Sequence, residues 1–309
     1  MARMSLGKKI LIAIVVGVLS LCFVGSVLRN LGMSSHARSP LELVDGPGEP
    51  FMRRRELKGP NLVTKGPSPQ PAEVSQVPPE VTVVRYESTG RMLLAWLHVP
   101  PAEPGKRLPA LVFFHGGYAL GAQDYLDMKP FVDSGYIVMV PSWRGENGND
   151  GYFEMGFGEL DDAVAAVKFL SGRDEVDTQR IFVLGHSSGG MVASLLSLVP
   201  EVPVALTASI GGLYPEEAFL EWSDIAPFDI HDRESRRLRV LHPHLRQMQR
   251  PHIAYVGRDD WIHRFSHRVA KALPPEAHKL RVVSVEGDHF TSVPAGVNGF
   301  LEVTRSFNP

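Results

Sequence analysis

The chain has 309 residues, of which 44% are hydrophobic and 21% are charged, and its formal net charge is −2. This composition is typical of a globular protein and excludes a largely disordered chain, and the small net charge gives no basic field that would attract nucleic acid. Cys22 is the single cysteine, so no disulfide bond can form within the chain.

The N-terminus carries an apolar run behind a short basic tail. Residues 1–9 include Arg3, Lys8 and Lys9, and residues 10–28 contain no charged residue. A helix of that length spans roughly 28 Å, about one hydrocarbon core of a bilayer. The run favours an uncleaved transmembrane signal anchor over a cleaved signal peptide or a buried helix. The basic tail favours a cytoplasmic N-terminus with the rest of the chain in the periplasm or another extracytoplasmic space, whereas cleavage would yield a secreted protein.

A proline-rich stretch occupies residues 29–80, with nine prolines between Pro40 and Pro79. Proline lacks a backbone donor and disfavours helix, so the stretch is expected to be an extended stem or linker. Within it, the adjacent Arg53, Arg54 and Arg55 are expected to be solvated, and contact with a membrane surface is the alternative. The folded domain is expected to occupy residues 81–309.

From residue 81 onward, short apolar runs alternate with helical patterns. Residues 81–87 and 91–99 predict a β-hairpin. Apolar runs typical of strands buried on both faces follow at residues 111–114, 136–140, 181–184, 205–210, 253–256 and 280–285. Helices are expected at residues 159–171, where apolar residues recur at helical spacing, and at 191–198. This alternation predicts an α/β domain with a mostly parallel sheet and helices on both faces.

The strand predicted at 111–114 leads directly into His115-Gly116-Gly117-Tyr118. A glycine pair at the end of an early strand frees backbone N–H groups that can hold a negatively charged oxygen. Gly116 and Gly117 are therefore candidates for an oxyanion hole, and Tyr118 is a candidate for the wall of a substrate pocket. An ordinary glycine turn is the alternative interpretation.

Residues 185–189 read Gly-His-Ser-Ser-Gly and separate the strand predicted at 181–184 from the following helix. A serine on such a turn has a strained backbone, the flanking glycines allow close approach of neighbouring backbones, and the first amides of the helix face any developing negative charge. Ser187 is therefore predicted to be a nucleophile. The backbone N–H of Ser188 is predicted to be an oxyanion donor, and His186 is expected beside the substrate pocket.

A serine hydroxyl needs a base that removes its proton. Asp259 and Asp260 directly follow one predicted strand, and His289 follows the next. Ligands of such sheets bind at the carboxyl ends of the strands, so these side chains are expected to lie near Ser187. Either aspartate is able to orient His289, and Asp259 is slightly preferred.

Residues 214–249 combine aromatic and charged side chains and form either a cap over the site or connecting helices. His242 and His244 have no evident third ligand near them, so no metal site is expected. Acyl transfer by serine, histidine and aspartate needs no organic cofactor, and none is expected.

Together these motifs resemble the α/β-hydrolase superfamily, and within it the catalytic domains of prolyl-oligopeptidase-type enzymes and dienelactone-hydrolase-like esterases. The resemblance covers roughly residues 81–303 and rests on FFHGG at 113–117, PSWRGENGNDG at 141–151, VDTQRIFVLGHSSGG at 176–190, RDDWIH at 258–263 and GDHF at 287–290. It implies an α/β-hydrolase fold.

The resemblance also implies a serine hydrolase that cleaves small esters or peptides through an acyl-serine intermediate. Residues 1–80 are expected to be anchor and stem and not the propeller of prolyl oligopeptidases, so ester and peptide substrates both stay open. The alternative is a catalytically silent, membrane-tethered hydrolase fold that acts as a binding module.

Overall fold

The computed structural model describes residues 49–70, 76–272 and 279–308. The anchor predicted at 10–28 and the first part of the predicted stem lie outside these residues. Within the described ranges, no helix combines the length and the apolar character that a membrane span needs.

An eight-stranded sheet lies at the centre of the domain. Its strands are β1 (Thr82–Ser88), β2 (Arg91–His98), β3 (Leu108–Phe114), β4 (Ile137–Pro141), β5 (Val176–His186), β6 (Leu206–Ile210), β7 (His252–Gly257) and β8 (Leu280–Val285). They lie in the order β1-β2-β4-β3-β5-β6-β7-β8. β1 and β2 form the predicted antiparallel hairpin, β2 is antiparallel to β4, and the strands from β4 to β8 run parallel. The predicted mostly parallel sheet is confirmed.

Helices cover both faces of this sheet. They are α1 (Phe51–Lys58), α2 (Ala122–Leu126), α3 (Lys129–Val132), α4 (Gly158–Ser171), α5 (Ser187–Leu196), α6 (Ala218–Glu221), α7 (Arg233–Arg237), a 3₁₀ helix (His242–Gln247), α8 (His263–Lys271) and α9 (Val293–Arg305). Along β3, Val112 and Phe114 pack in one core cluster with α4 and α5, whereas Leu111 and Phe113 pack in another with α3 and α9. A strand covered on both faces has no polar side, which explains its continuous apolar run.

The segment between residues 49 and 70 differs from the expected extended stem. Its helix α1 packs on the domain: Phe51 is only 1% exposed and its ring lies 4.8 Å from that of His244. Arg55, which was expected to be solvated, is buried and pairs with Asp161 at 3.0 Å. Arg54 pairs with Glu234. A buried aromatic ring and a buried guanidinium therefore hold this part of the predicted stem against the domain.

Residues 214–249 fold into the short helices α6 and α7 and the 3₁₀ helix. Phe219 and Phe228 are buried in a cluster that also contains Tyr214. Tyr214 and Trp222 line the cavity next to Ser187. The segment thus consists of packed connecting helices that also form one wall of the site.

Candidate active site

Ser187 lies at the junction of β5 and α5, and its φ of 53° is in the left-handed region. Residues other than glycine pay a strain energy there, of roughly 1–3 kcal/mol. A Cβ on Gly185 would come within 2.3 Å of the Gly189 carbonyl oxygen, and one on Gly189 within 2.2 Å of the Phe114 carbonyl oxygen. The two glycines therefore allow the close backbone approach that this sharp turn requires, and the turn presents the Ser187 hydroxyl at the carboxyl edge of the sheet.

Three side chains from separate loops meet at this edge. His289 Nε2 lies 2.9 Å from Ser187 Oγ, and His289 Nδ1 lies 2.9 Å from Asp260 Oδ2. The Asp260 side chain is fully buried and that of His289 is 16% exposed. Asp260 Oδ1 also accepts a hydrogen bond of 3.1 Å from the Ile262 N–H. An aspartate held in this way accepts a hydrogen bond from Nδ1–H, so Nε2 carries no hydrogen and is free to take the proton of Ser187.

The slight preference for Asp259 is wrong. After β7 the chain turns, with the Asp260 N–H donating to the Gly257 carbonyl at 3.1 Å, and this turn directs the Asp260 side chain inward. The side chain of Asp259 is exposed, and its backbone N–H donates to the Gly287 carbonyl. Asp259 therefore lies on the rim of the cavity and does not contact His289.

The structure brings the candidate oxyanion residues next to Ser187. Gly117 and Ser188 line the same cavity as Ser187, and Ser188 Oγ donates a 2.7 Å hydrogen bond to the Gly117 carbonyl. This bond joins the glycine turn to the nucleophile turn. Gly116 lies against His186, because a Cβ on Gly116 would come within 2.7 Å of His186 Nδ1. The early glycine pair thus faces the nucleophile, as the sequence predicts.

The two predicted pocket residues have different positions. Tyr118 lines the same cavity as Ser187 and Tyr214, and its ring packs edge-on against Phe153 at 5.2 Å. His186 lines a neighbouring cavity, and its Nε2 lies 2.9 Å from the His289 carbonyl oxygen. Burial lowers the pKa of His186 to about 4, so its ring is neutral and its Nε2–H donates to that carbonyl. His186 therefore supports the loop that carries His289.

The cavity that Tyr118 shares with Tyr214 has a volume of about 600 Å³ and is lined largely by aromatic, methionine and acidic side chains. Glu146 lies in its wall and pairs with the buried His115 at 3.0 Å. Burial alone would lower the pKa of His115, but the adjacent Glu146 carboxylate outweighs it and raises the pKa to about 9. Burial raises the pKa of Glu159 to about 7. The cavity is large enough for an amino-acid side chain or a small acyl group.

Tyr214 was missed as a site residue by the sequence analysis. Its hydroxyl oxygen lies 3.0 Å from Ser187 Oγ and 3.5 Å from His289 Nε2. Its ring is stacked on Trp261 at 5.7 Å and packs edge-on against Trp222 at 5.1 Å. Its position in the sequence could have identified it, because Tyr214 follows β6 after a glycine pair and so lies at the same edge of the sheet as the other site residues.

Comparisons with known proteins show that the chain is similar in sequence to peptidases. The family model for X-Pro dipeptidyl-peptidase (S15 family) matches residues 90–224. Human dipeptidyl peptidase 8 is 29% identical over 192 residues, which is 57% of this chain and 20% of that protein. The uncharacterized peptidase YtmA of Bacillus subtilis (strain 168) is 28% identical over 129 residues, 41% of this chain and 49% of that protein. The chain thus spans about half or less of the length of these curated relatives.

Solved structures show the same fold. Acylaminoacyl peptidase of Pyrococcus horikoshii superposes with a TM-score of 0.58 at 19% identity, covering 73% of this chain and 40% of that one. A puromycin-hydrolyzing peptidase of Mycobacterium tuberculosis superposes with a TM-score of 0.59 at 22% identity, covering 72% and 38%. The chain has an α/β-hydrolase fold. Ser187 lies inside the family match, whereas Asp260 and His289 lie beyond its end at residue 224.

Within the described ranges, no cluster of three or more histidine, cysteine or acidic side chains is placed to hold a metal ion. His242 and His244 are both buried, and burial lowers the pKa of each to about 3. His244 Nε2 donates to the Arg237 carbonyl at 2.9 Å. The two imidazoles are therefore neutral parts of the packed 214–249 segment.

Proposed function

We propose that this protein is a serine hydrolase that transfers an acyl group from an ester or amide to water through an acyl-Ser187 intermediate. The observation that carries the proposal is the continuous hydrogen-bonded series from Ser187 Oγ through His289 to Asp260, with 2.9 Å at each step. It is the arrangement that activates a serine hydroxyl, and it lies at the wall of a cavity that can hold a substrate.

The reaction follows from this geometry. Ser187 Oγ attacks the substrate carbonyl carbon while its proton moves to His289 Nε2, and Asp260 stabilises the imidazolium that forms. His289 then gives the proton to the leaving group as the bond to the acyl carbon breaks. A water molecule repeats the sequence on the acyl-serine and releases the acid.

The oxygen of the tetrahedral intermediate needs hydrogen-bond donors. The backbone N–H groups at Gly117 and Ser188 are the candidates, since both residues border the cavity at Ser187. Loss of one such donor in other serine hydrolases costs about 2.7–4 kcal/mol of barrier. These donors act on the oxyanion irrespective of the leaving group, so they serve ester and amide substrates alike.

Of the two substrate classes, esters and amides, the names of the relatives favour amides as substrates of this protein. Human dipeptidyl peptidase 8 and the puromycin-hydrolyzing peptidase of Mycobacterium tuberculosis are both described as peptidases. We therefore propose short peptides or aminoacyl amides as substrates, together with esters of the same acyl groups. This substrate preference is measured by comparing kcat/KM for an aminoacyl amide with kcat/KM for its matched ester. Hydrolysis of the ester without any hydrolysis of the amide would contradict the proposal that the protein cleaves amides.

The test of the whole proposal is labelling with a fluorophosphonate, which reacts only with an activated serine. The full chain is expected to label stoichiometrically, and Ser187→Ala is expected not to label. Ser188→Ala is the matched control, because it removes the adjacent hydroxyl and keeps the backbone N–H; it is expected to label. A folded wild type that fails to label would favour the alternative of a catalytically silent binding module.

We also propose that residues 10–28 anchor the protein in a membrane, with the hydrolase domain on the extracytoplasmic side. Support comes from the uncharged run and from the basic residues Arg3, Lys8 and Lys9 before it. The full chain is expected to stay in the membrane fraction after alkaline carbonate extraction. A mature protein whose N-terminal sequence begins after residue 28 would instead indicate a cleaved signal peptide.

A further inference from the structure

The Tyr214 hydroxyl contacts both reacting atoms, yet the three-residue mechanism does not use it. It lies 3.0 Å from Ser187 Oγ and 3.5 Å from His289 Nε2. Ser187 has a single proton, which it donates to Nε2, so Tyr214 must be the donor in its bond with Oγ. This assignment leaves the lone pairs of the Tyr214 oxygen free to accept a hydrogen bond from a group in the cavity.

Tyr214 stands on the opposite side of the nucleophile from the oxyanion donors. β5, which carries Ser187, lies between β3 and β6 in the sheet. The Gly116-Gly117 turn follows β3, whereas Tyr214 follows β6. The carbonyl oxygen of a substrate points toward the glycine turn, so Tyr214 faces another substituent of the reacting carbon. The leaving group must come within about 3 Å of His289 Nε2 to receive its proton, and the Tyr214 oxygen already lies close to that atom.

Amide and ester leaving groups differ at this position. An amide nitrogen becomes pyramidal in the tetrahedral intermediate and turns its lone pair toward the proton donor, so its own N–H points elsewhere and needs an acceptor. An ester oxygen carries no hydrogen and needs none. A buried N–H without an acceptor is unfavourable, which would slow amide cleavage and leave ester cleavage unaffected.

We propose that Tyr214 accepts a hydrogen bond from the N–H of the scissile amide and thereby favours cleavage of secondary amides. This inference rests on the proposed serine hydrolase activity. In the acylation step the Oγ–C bond forms and the C–N bond breaks, and the Oγ proton reaches nitrogen through His289. Tyr214 keeps its own proton throughout.

The surroundings of Tyr214 suit this role. The side chain is 5% exposed, and Trp261 and Trp222 fix its ring by stacking and edge contacts. Burial raises the pKa of the Tyr214 hydroxyl, so it stays neutral at physiological pH. Because the ring is held by aromatic packing, Tyr214→Phe removes only the hydroxyl and retains the wall of the cavity.

The experiment compares wild type with Tyr214→Phe on three substrates that share one acyl group: an anilide, its N-methyl anilide and an ester. A hydrogen bond of about 1.4 kcal/mol corresponds to roughly tenfold in rate. We expect Tyr214→Phe to lower kcat/KM for the anilide about tenfold, and to change kcat/KM for the N-methyl anilide and the ester less than threefold. The N-methyl anilide is decisive because it is an amide without an N–H.

The matched control is Tyr118→Phe, which removes a hydroxyl from the oxyanion side of the same cavity. It is expected to change kcat/KM for all three substrates by a common factor. The inference would be overturned if Tyr214→Phe lowered kcat/KM equally for the anilide and the ester, or lowered it for neither. In that case, fluorophosphonate labelling of the wild type would still support the proposed serine hydrolase. A wild type that neither labels nor cleaves would overturn the proposed function, and this inference with it.

Discussion

At the scale of single residues, the chemistry depends on how Ser187 is held. Its left-handed backbone, with a φ of 53°, is kept by close glycine contacts. The hydroxyl has two neighbours, His289 as acceptor and Tyr214 as donor. Both of its hydrogen-bonding directions are therefore set before a substrate binds, which lowers the reorganisation needed for attack.

The two adjacent aspartates offer a direct test at this scale. Asp260→Asn is expected to lower kcat by roughly 10⁴, because the amide stabilises the wrong tautomer of His289 and no longer balances the imidazolium charge. Asp259→Asn is the matched control: its side chain is exposed on the rim, and kcat is expected to change less than threefold. Steady-state hydrolysis of an activated ester measures both variants. A large loss in Asp259→Asn with little loss in Asp260→Asn would contradict the assignment.

At the scale of structural elements, the nucleophile turn depends on glycines that a side chain cannot replace. A Cβ on Gly189 would lie 2.2 Å from the Phe114 carbonyl oxygen, so Gly189→Ala is expected to displace either β3 or the turn and to abolish fluorophosphonate labelling. Gly172→Ala at the end of α4 is the control, since its Cβ would meet nothing closer than 3.6 Å. That variant is expected to label normally. Full labelling of a folded Gly189→Ala protein would show that the turn tolerates a side chain.

Helix α1 gives a second test at this scale. Phe51 is 1% exposed, whereas Leu57 on the same helix is 63% exposed. Phe51→Ala is expected to lower the free energy of unfolding by about 3 kcal/mol because it leaves a cavity in the core. Leu57→Ala is expected to change it by less than about 0.5 kcal/mol. Denaturant unfolding of the full chain measures both, and equal stabilities would mean that α1 is a loosely attached linker.

At the scale of the whole molecule, the sequence predicts those features of the fold and the site that leave a local pattern of apolar and polar residues. Continuous apolar runs mark the doubly covered strands, and polar motifs directly after them locate Ser187 and His289. The sequence pattern cannot tell which of the adjacent Asp259 and Asp260 contacts His289. The turn in which the Asp260 N–H donates to the Gly257 carbonyl decides which of the two side chains points inward. The packing of α1 escaped prediction because it depends on a single phenylalanine and on Arg55, whose distant partner Asp161 has no local signal.

Buried histidines whose pKa is lowered make the stability of the domain depend on pH. Burial lowers the pKa of His252 to about 3, and its two ring nitrogens lie 2.9 Å from the hydroxyls of Thr207 and Ser209. His242 and His244 also have a pKa of about 3. In the unfolded chain each histidine has a pKa of about 6.5, so the unfolded state binds more protons than the folded state between pH 6.5 and pH 3.

Stability from these groups is therefore fully present above about pH 6.5 and is lost as the pH falls toward 3, at a limiting slope of about 1.4 kcal/mol per pH unit for each histidine. Denaturant unfolding between pH 7 and pH 4 is expected to show this decline. His252→Gln is expected to lower stability at pH 7 and to reduce the slope, because glutamine does not titrate. His98→Gln is the control for the substitution itself: His98 is partly exposed on β2, and the variant is expected to change stability at pH 7 by less than about 0.5 kcal/mol. An unchanged slope in His252→Gln would show that His252 is protonated in the folded state.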